Sequence, residues 1–151
     1  MAALDWQGQG LSDRLLSDPR RGHVEDFADY ESDADRFFEQ IAPMMPGPYL
    51  VFAHSMGGNV LLRAARRQPD RMAGLILTAP LLGIDFSAGI WGPGIVSASA
   101  WAMNIVGQRH RYVLGGGPQA ADEIDFENNR ASADPRRYAI HQALVRHYPQ
   151  L

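Results

Sequence analysis

The sequence contains no cysteine, which excludes a disulfide framework and any thiolate metal site and fits a reducing compartment. Its N-terminus, Met-Ala-Ala-Leu-Asp-Trp, has no basic region leading into an apolar core, so a secretory signal is not expected. No apolar run is long enough to span a bilayer. Basic residues form no stripe, and the formal charge over 151 residues is −3, so nucleic acid is not an expected partner. Long low-complexity tracts are also missing. What remains is 46% apolar and 21% charged, the composition of a globular protein with chain for one domain at most, expected in the cytoplasm.

The chain is organised around Tyr-Leu-Val-Phe-Ala-His-Ser-Met-Gly-Gly at 49–58. Residues 49–53, aromatic and branched, suit a strand buried on both faces, and 59–67 suit a helix packed behind it. Ser55 stands at the corner. A side chain on a sharp strand-to-helix turn is held outward, and the backbone N–H of Met56 is expected to face the same space as the hydroxyl oxygen. Ser55 is therefore read as a nucleophile and the Met56 N–H as one oxyanion donor. Small residues are needed two positions to either side, and Ala53 and Gly57 meet that need, although alanine stands where the commonest form of the motif has glycine. The plainer alternative is an ordinary serine in a strand-to-helix loop.

Elsewhere, 2–5 read as the end of a strand entering a glycine-punctuated loop. A strand opening almost at residue 1 suggests that the chain enters in the middle of an element. Residues 24–41 carry Phe27, Tyr30, Ala34, Phe37, Phe38 and Ile41 on one helical stripe with acids on the other face, and Glu25 and Asp26 are expected in the first turn, where the helix dipole favours negative charge. Pro43, Pro46, Gly47 and Pro48 end that helix, and 73–79 form a second apolar strand closed by Pro80. Continuous apolar strands alternating with helices predict an α/β class with a parallel sheet and right-handed crossovers. Sites in such sheets lie at the carboxyl ends of strands, where Ser55 falls.

Beyond Pro80 the periodicity changes. Residues 86–107 are apolar and rich in glycine, alanine and tryptophan, 114–118 are a breaker cluster, and Asp134 and Pro135 cap and open a helix running to about His147. An inserted helical cap explains this region. Trp91, Ile95, Val96, Trp101, Met103, Ile105 and Val106 could contact an acyl chain, but the favoured reading makes them core between helices.

On these residues the chain resembles the α/β-hydrolase superfamily, within it the bacterial lysophospholipase and monoacylglycerol lipase-like serine hydrolases. Asp5-Trp-Gln-Gly-Gln-Gly-Leu-Ser-Asp13 is similar to that group's Asp-x-Arg-Gly-x-Gly-x-Ser loop, with Gln7 in place of arginine. His54-Ser-Met-Gly-Gly58 resembles the nucleophile elbow, and 129–151 resemble a cap segment of bacterial members. The resemblance implies a partial α/β-hydrolase core at 1–85 and an incomplete helical cap at 86–151. It implies attack of Ser55 on a carboxylic ester, lysophospholipid or monoacylglycerol first, with no cofactor. It also implies a small-molecule or lipid substrate and transient contact of the cap with a membrane surface. A second oxyanion donor, the triad acid and the triad histidine belong to regions of the family not found in this chain. A further strand is implied between those at 2–5 and 49–53, so these two are not expected to be neighbours. The chain is accordingly expected to be an internal fragment, inactive alone.

The histidines present give no evident base. His54 adjoins Ser55, but consecutive side chains diverge, and it is expected to pack beneath the elbow. His23 is expected to be structural. His110, His141 and His147 lie in the cap with Asp122, Asp125 and Asp134 nearby in sequence, and nothing fixes one as an oriented base. His141 and His147 are spaced wrongly on a helix for a metal pair, so no metal is expected. Gly8-Gln-Gly10 lacks a third glycine, and Leu114-Gly-Gly-Gly117 lacks a preceding strand and a lysine, so neither makes a phosphate cradle. A peptidase or another esterase would share the elbow, and the alternative from another class is a non-catalytic α/β fragment or binding module.

Overall fold

The computed structural model describes residues 1–19, 21–83, 92–112, 125–127, 129 and 132–147. The chain divides into two compact units, Met1–Gln7 with Val24–Phe86 and Gly8–His23 with Ser87–Leu151. Trp91, Asp122 and the breaker cluster at 114–118 lie outside the described residues.

The first unit contains helix α1 (Phe27–Ile41), strand β1 (Tyr49–His54), helix α2 (Ser55–Arg67) and strand β2 (Met72–Thr78), with a single 3-10 turn, Pro69–Arg71, before β2. β1 and β2 pair in parallel, Val51 opposite Leu75 and Phe52 opposite Ile76, which establishes the α/β class. Acidic side chains and an apolar stripe specify α1. Asp26 is its N-cap rather than a first-turn residue, accepting from the Ala28 N–H at 2.9 Å. Asp29 reaches back to the Asp26 N–H at 3.0 Å and completes a capping box. Tyr30, Ala34, Phe38 and Ile41 recur at helical spacing and are buried with Ala53, Val60, Leu61 and Ala64 in one cluster.

Two expectations fail here. Residues 2–5 form no strand: a strand exists only through its ladder, and among the described residues β1 and β2 pair only with each other, leaving 2–5 without a partner strand. β1 is covered on one face only. Ala53 is buried and Tyr49 and Val51 are packed against the helices, whereas Leu50 and Phe52 are 73% and 67% exposed. The period of two puts these on the opposite face from Ala53, and the buried cluster lies on one side.

In the second unit, the loop after Gly8 is held from its centre. The Arg14 guanidinium donates to the carbonyls of Gln9, Gly10 and Pro19 at 3.0, 2.8 and 3.0 Å. Gly8 and Gly10 supply the left-handed turns that aim those carbonyls inward, at φ 79° and 50°. Carbonyl oxygens, the wrong polarity for an anion, converge there. Helix α3 (Pro93–Ile105) follows Gly92, and helix α4 (Pro135–His147) is capped as expected, with Asp134 accepting from the Arg136 N–H at 2.8 Å. On α3 and just beyond it, Val96 is buried and Met103 half-buried, but Ile95, Trp101, Ile105 and Val106 are exposed. The reading of these four as core is overturned: Ile95, Trp101 and Ile105 follow the outward rows of the helix, with 96, 99, 100 and 103 facing in, and Val106 is its exposed C-cap.

Candidate active site

Ser55 is the first residue of α2 and directly follows β1. Its φ is +48°, in the left-handed region where a side chain meets the backbone at a cost of about 1–2 kcal/mol. Such a conformation persists only where neighbours over-determine it. Here the segment after β2 does so. The Leu81 N–H donates to the Ser55 carbonyl at 2.9 Å, and the Asn59 side-chain amide donates to the Leu81 carbonyl at 2.6 Å. Pro80 lies against Gly58, where an added Cβ would stand 3.0 Å from the proline Cβ. Ala79, at the turn, is itself at φ +42°.

The glycines divide the work differently from the motif. Gly57, the motif glycine, has the Trp6 indole Nε1 3.4 Å from where a Cβ would be, which is ordinary contact. Gly58 is the tighter position. The residues 79–81 and Asn59 were not evident as part of the corner from sequence; Pro80 was visible only as the end of a strand.

Ser55 and Met56 are both half-buried, and Met56 is the second residue of α2, in the turn where backbone N–H groups and the helix dipole favour negative charge. His54 does not pack beneath the corner. It is exposed, on the strand face of Leu50 and Phe52, and its Nδ1 lies 3.0 Å from the Thr78 hydroxyl on the paired strand. The alternation of β1 accounts for the difference. No other histidine occurs in the first unit; His23, His110, His141 and His147 belong to the second, the last three exposed. Asp134 is committed to capping α4, and Asp125 is exposed. Among the described residues no cluster of His, Cys, Asp or Glu could hold a metal, and no helix is long and apolar enough to cross a membrane.

The corner can therefore hold an outward hydroxyl beside a helix N-terminus at the carboxyl edge of a parallel pair. The family described as serine aminopeptidase, S33, matches residues 1–147. Lysophospholipase L2 of Escherichia coli strain K12 is 43% identical over 84 residues, 54% of this chain and 24% of that protein. The probable lysophospholipase L2 of Haemophilus influenzae is 28% identical over 123 residues, 81% of this chain and 37% of its own length. The chain thus matches well under half the length of these curated relatives. No solved structure matches. With a family match across almost all of its residues and a serine corner between parallel strand and helix, the chain belongs to the S33 serine aminopeptidase family of α/β hydrolases.

Proposed function

We propose that this chain is the nucleophile-bearing part of a serine hydrolase of carboxylic esters, with lysophospholipid or monoacylglycerol as substrate. The observation that carries the reading is the backbone of Ser55, a non-glycine residue at φ +48° between β1 and α2. Strain of this kind serves to present a side chain. The Ser55 Oγ attacks the ester carbonyl carbon and passes its proton to a histidine, and the Met56 N–H helps hold the oxyanion. The alcohol leaves with that proton, and water then releases the acid from the acyl-serine. The similarity to lysophospholipases L2 favours a lipid ester, presented at a membrane surface that the cap contacts transiently. The triad acid and histidine are assigned to residues outside these 151.

A second reading, an α/β fragment or binding module without hydrolase activity of its own, is favoured by the engagement of His54 Nδ1 with Thr78. Intact mass after a fluorophosphonate probe separates the two, on this chain, on the longer polypeptide that contains it and on Ser55→Ala in each, with circular dichroism recorded first. Labelling of the longer protein that is lost in Ser55→Ala is expected. A folded longer protein that takes no label, or one still labelled after the substitution, overturns the assignment of Ser55. Hydrolysis of lysophosphatidylcholine against an aminoacyl amide then decides between lipase and peptidase chemistry.

A further inference from the structure

Strands β1 and β2 end side by side, with His54 opposite Thr78. The next residue after each strand, Ser55 and Ala79, is a non-glycine residue in the left-handed region, at φ +48° and +42°. Two such conformations at one sheet edge persist only where the surroundings impose them. Leu81, two residues beyond Ala79, has both of its backbone polar groups engaged by α2. Its N–H donates to the carbonyl of Ser55, the first residue of the helix, at 2.9 Å, and its carbonyl accepts from the side-chain amide of Asn59, the fifth, at 2.6 Å.

Asparagine is a poor helix former, because its side chain competes for backbone hydrogen bonds. At 59 that side chain is half-buried and donates to a carbonyl twenty-two positions away, outside the helix. The bond therefore fixes Leu81, and the Leu81 N–H in turn fixes the oxygen of the peptide joining Ser55 to Met56. That peptide is planar and trans, so its oxygen and its N–H point in opposite directions. Holding the Ser55 oxygen on Leu81 thus aims the Met56 N–H away from that segment. Asn59, one turn along α2 from the nucleophile, sets the direction of the oxyanion donor without touching the reacting atoms.

We propose that Asn59 is a positioning residue for the serine corner: through Leu81 it holds the Ser55–Met56 peptide with its N–H aimed at the oxyanion formed on attack by Ser55. The proposal rests on the reading of Ser55 as nucleophile. Its test is the rate of fluorophosphonate labelling of the longer polypeptide, resolved into the maximal rate and the probe concentration that gives half of it. Asn59→Ala removes the amide, and Asn59→Asp keeps its shape but presents an acceptor where a donor is needed. Both are expected to lower the maximal rate about tenfold to a hundredfold, with the half-saturating concentration unchanged, because aim rather than binding is lost. Asn59→Gln keeps the amide and is expected to recover part of the rate. Ala64→Gly, which weakens α2 from the buried cluster, is expected to label at the parent rate. Circular dichroism establishes that each variant is folded. Hydrogen exchange gives a readout without chemistry at Ser55: the Leu81 amide should exchange about tenfold faster in Asn59→Ala. The parent maximal rate in folded Asn59→Ala or Asn59→Asp overturns the proposal and leaves Ser55 as the nucleophile. So does unchanged exchange at Leu81, or an equal loss of rate in Ala64→Gly, which would make Asn59 a residue of stability alone. A folded parent that takes no label overturns the reading of Ser55 and this proposal with it.

Discussion

Leu81 donates its backbone N–H to the carbonyl of Ser55 at 2.9 Å, tying the segment after β2 to the first residue of α2. The tie works only if the two backbones approach closely, and Gly58 permits that approach. Gly58→Ala places a methyl 3.0 Å from Pro80 Cβ and 3.2 Å from its Cα. Neither is the end of a flexible side chain, so the segment must shift. A loss of about 1–3 kcal/mol is expected on urea unfolding. Gly57→Ala meets only the Trp6 edge at 3.4 Å and gains helix propensity, so it should be near neutral or stabilising. Equal effects would show that the clamp is not tight.

The backbone of Ser55 leads to a second expectation. At φ +48° a Cβ is strained whatever the side chain, so Ser55→Ala removes the hydroxyl and keeps the strain, while Ser55→Gly removes both. Ser55→Gly should unfold at higher urea than Ser55→Ala, by about 1 kcal/mol, with both lacking the nucleophile. If the alanine variant is the more stable, the corner is not strained.

These positions show what the sequence could and could not convey. The β1–α2 corner, the apolar stripe of α1 and the Asp134–Pro135 start of α4 were legible because each depends on neighbours a few residues away. The clamp of Asn59, Pro80 and Leu81 was not, since it joins segments more than twenty residues apart. Glu31 looked like one of the solvated acids of α1, and only the packing of α2 buries it. The bare face of Leu50 and Phe52 and the outward stripe of α3 escaped for the same reason. An apolar residue announces that it can be buried; what covers it is a tertiary fact.

Tyr30 gives the unit a pH dependence. Burial, and secondarily the charge of Asp33, raises its phenol above the ordinary value of 10.0. The unfolded chain therefore ionises first as pH rises. Stability from this group is complete below about pH 10 and is lost as pH climbs from there through the raised value. Unfolding midpoints should fall across that alkaline range, and Tyr30→Phe should flatten the fall. An unchanged alkaline slope in the variant would assign the loss to other groups.

Glu31 is buried at 7% exposure between α1 and α2, with Arg63 Nε at 2.5 Å and Arg67 Nε at 3.0 Å from its oxygens. The arginine side chains are themselves about half exposed, at 53% and 43%. The two sides of this pairing are therefore unequal. Glu31→Ala releases arginines that water can reach, at a cost of about 1 kcal/mol. Arg63→Met with Arg67→Met keeps the apolar stems but strands a carboxylate that is only 9% exposed, and also removes the Arg67–Asp35 pair at 3.2 Å, at a cost of about 3 kcal/mol in all. Adding Glu31→Gln to the double variant removes the stranded charge and should recover most of that loss. Urea unfolding of the three variants reads the asymmetry directly. If the methionine pair costs no more than Glu31→Ala, the carboxylate is hydrated and the helix interface does not depend on the ion pairs.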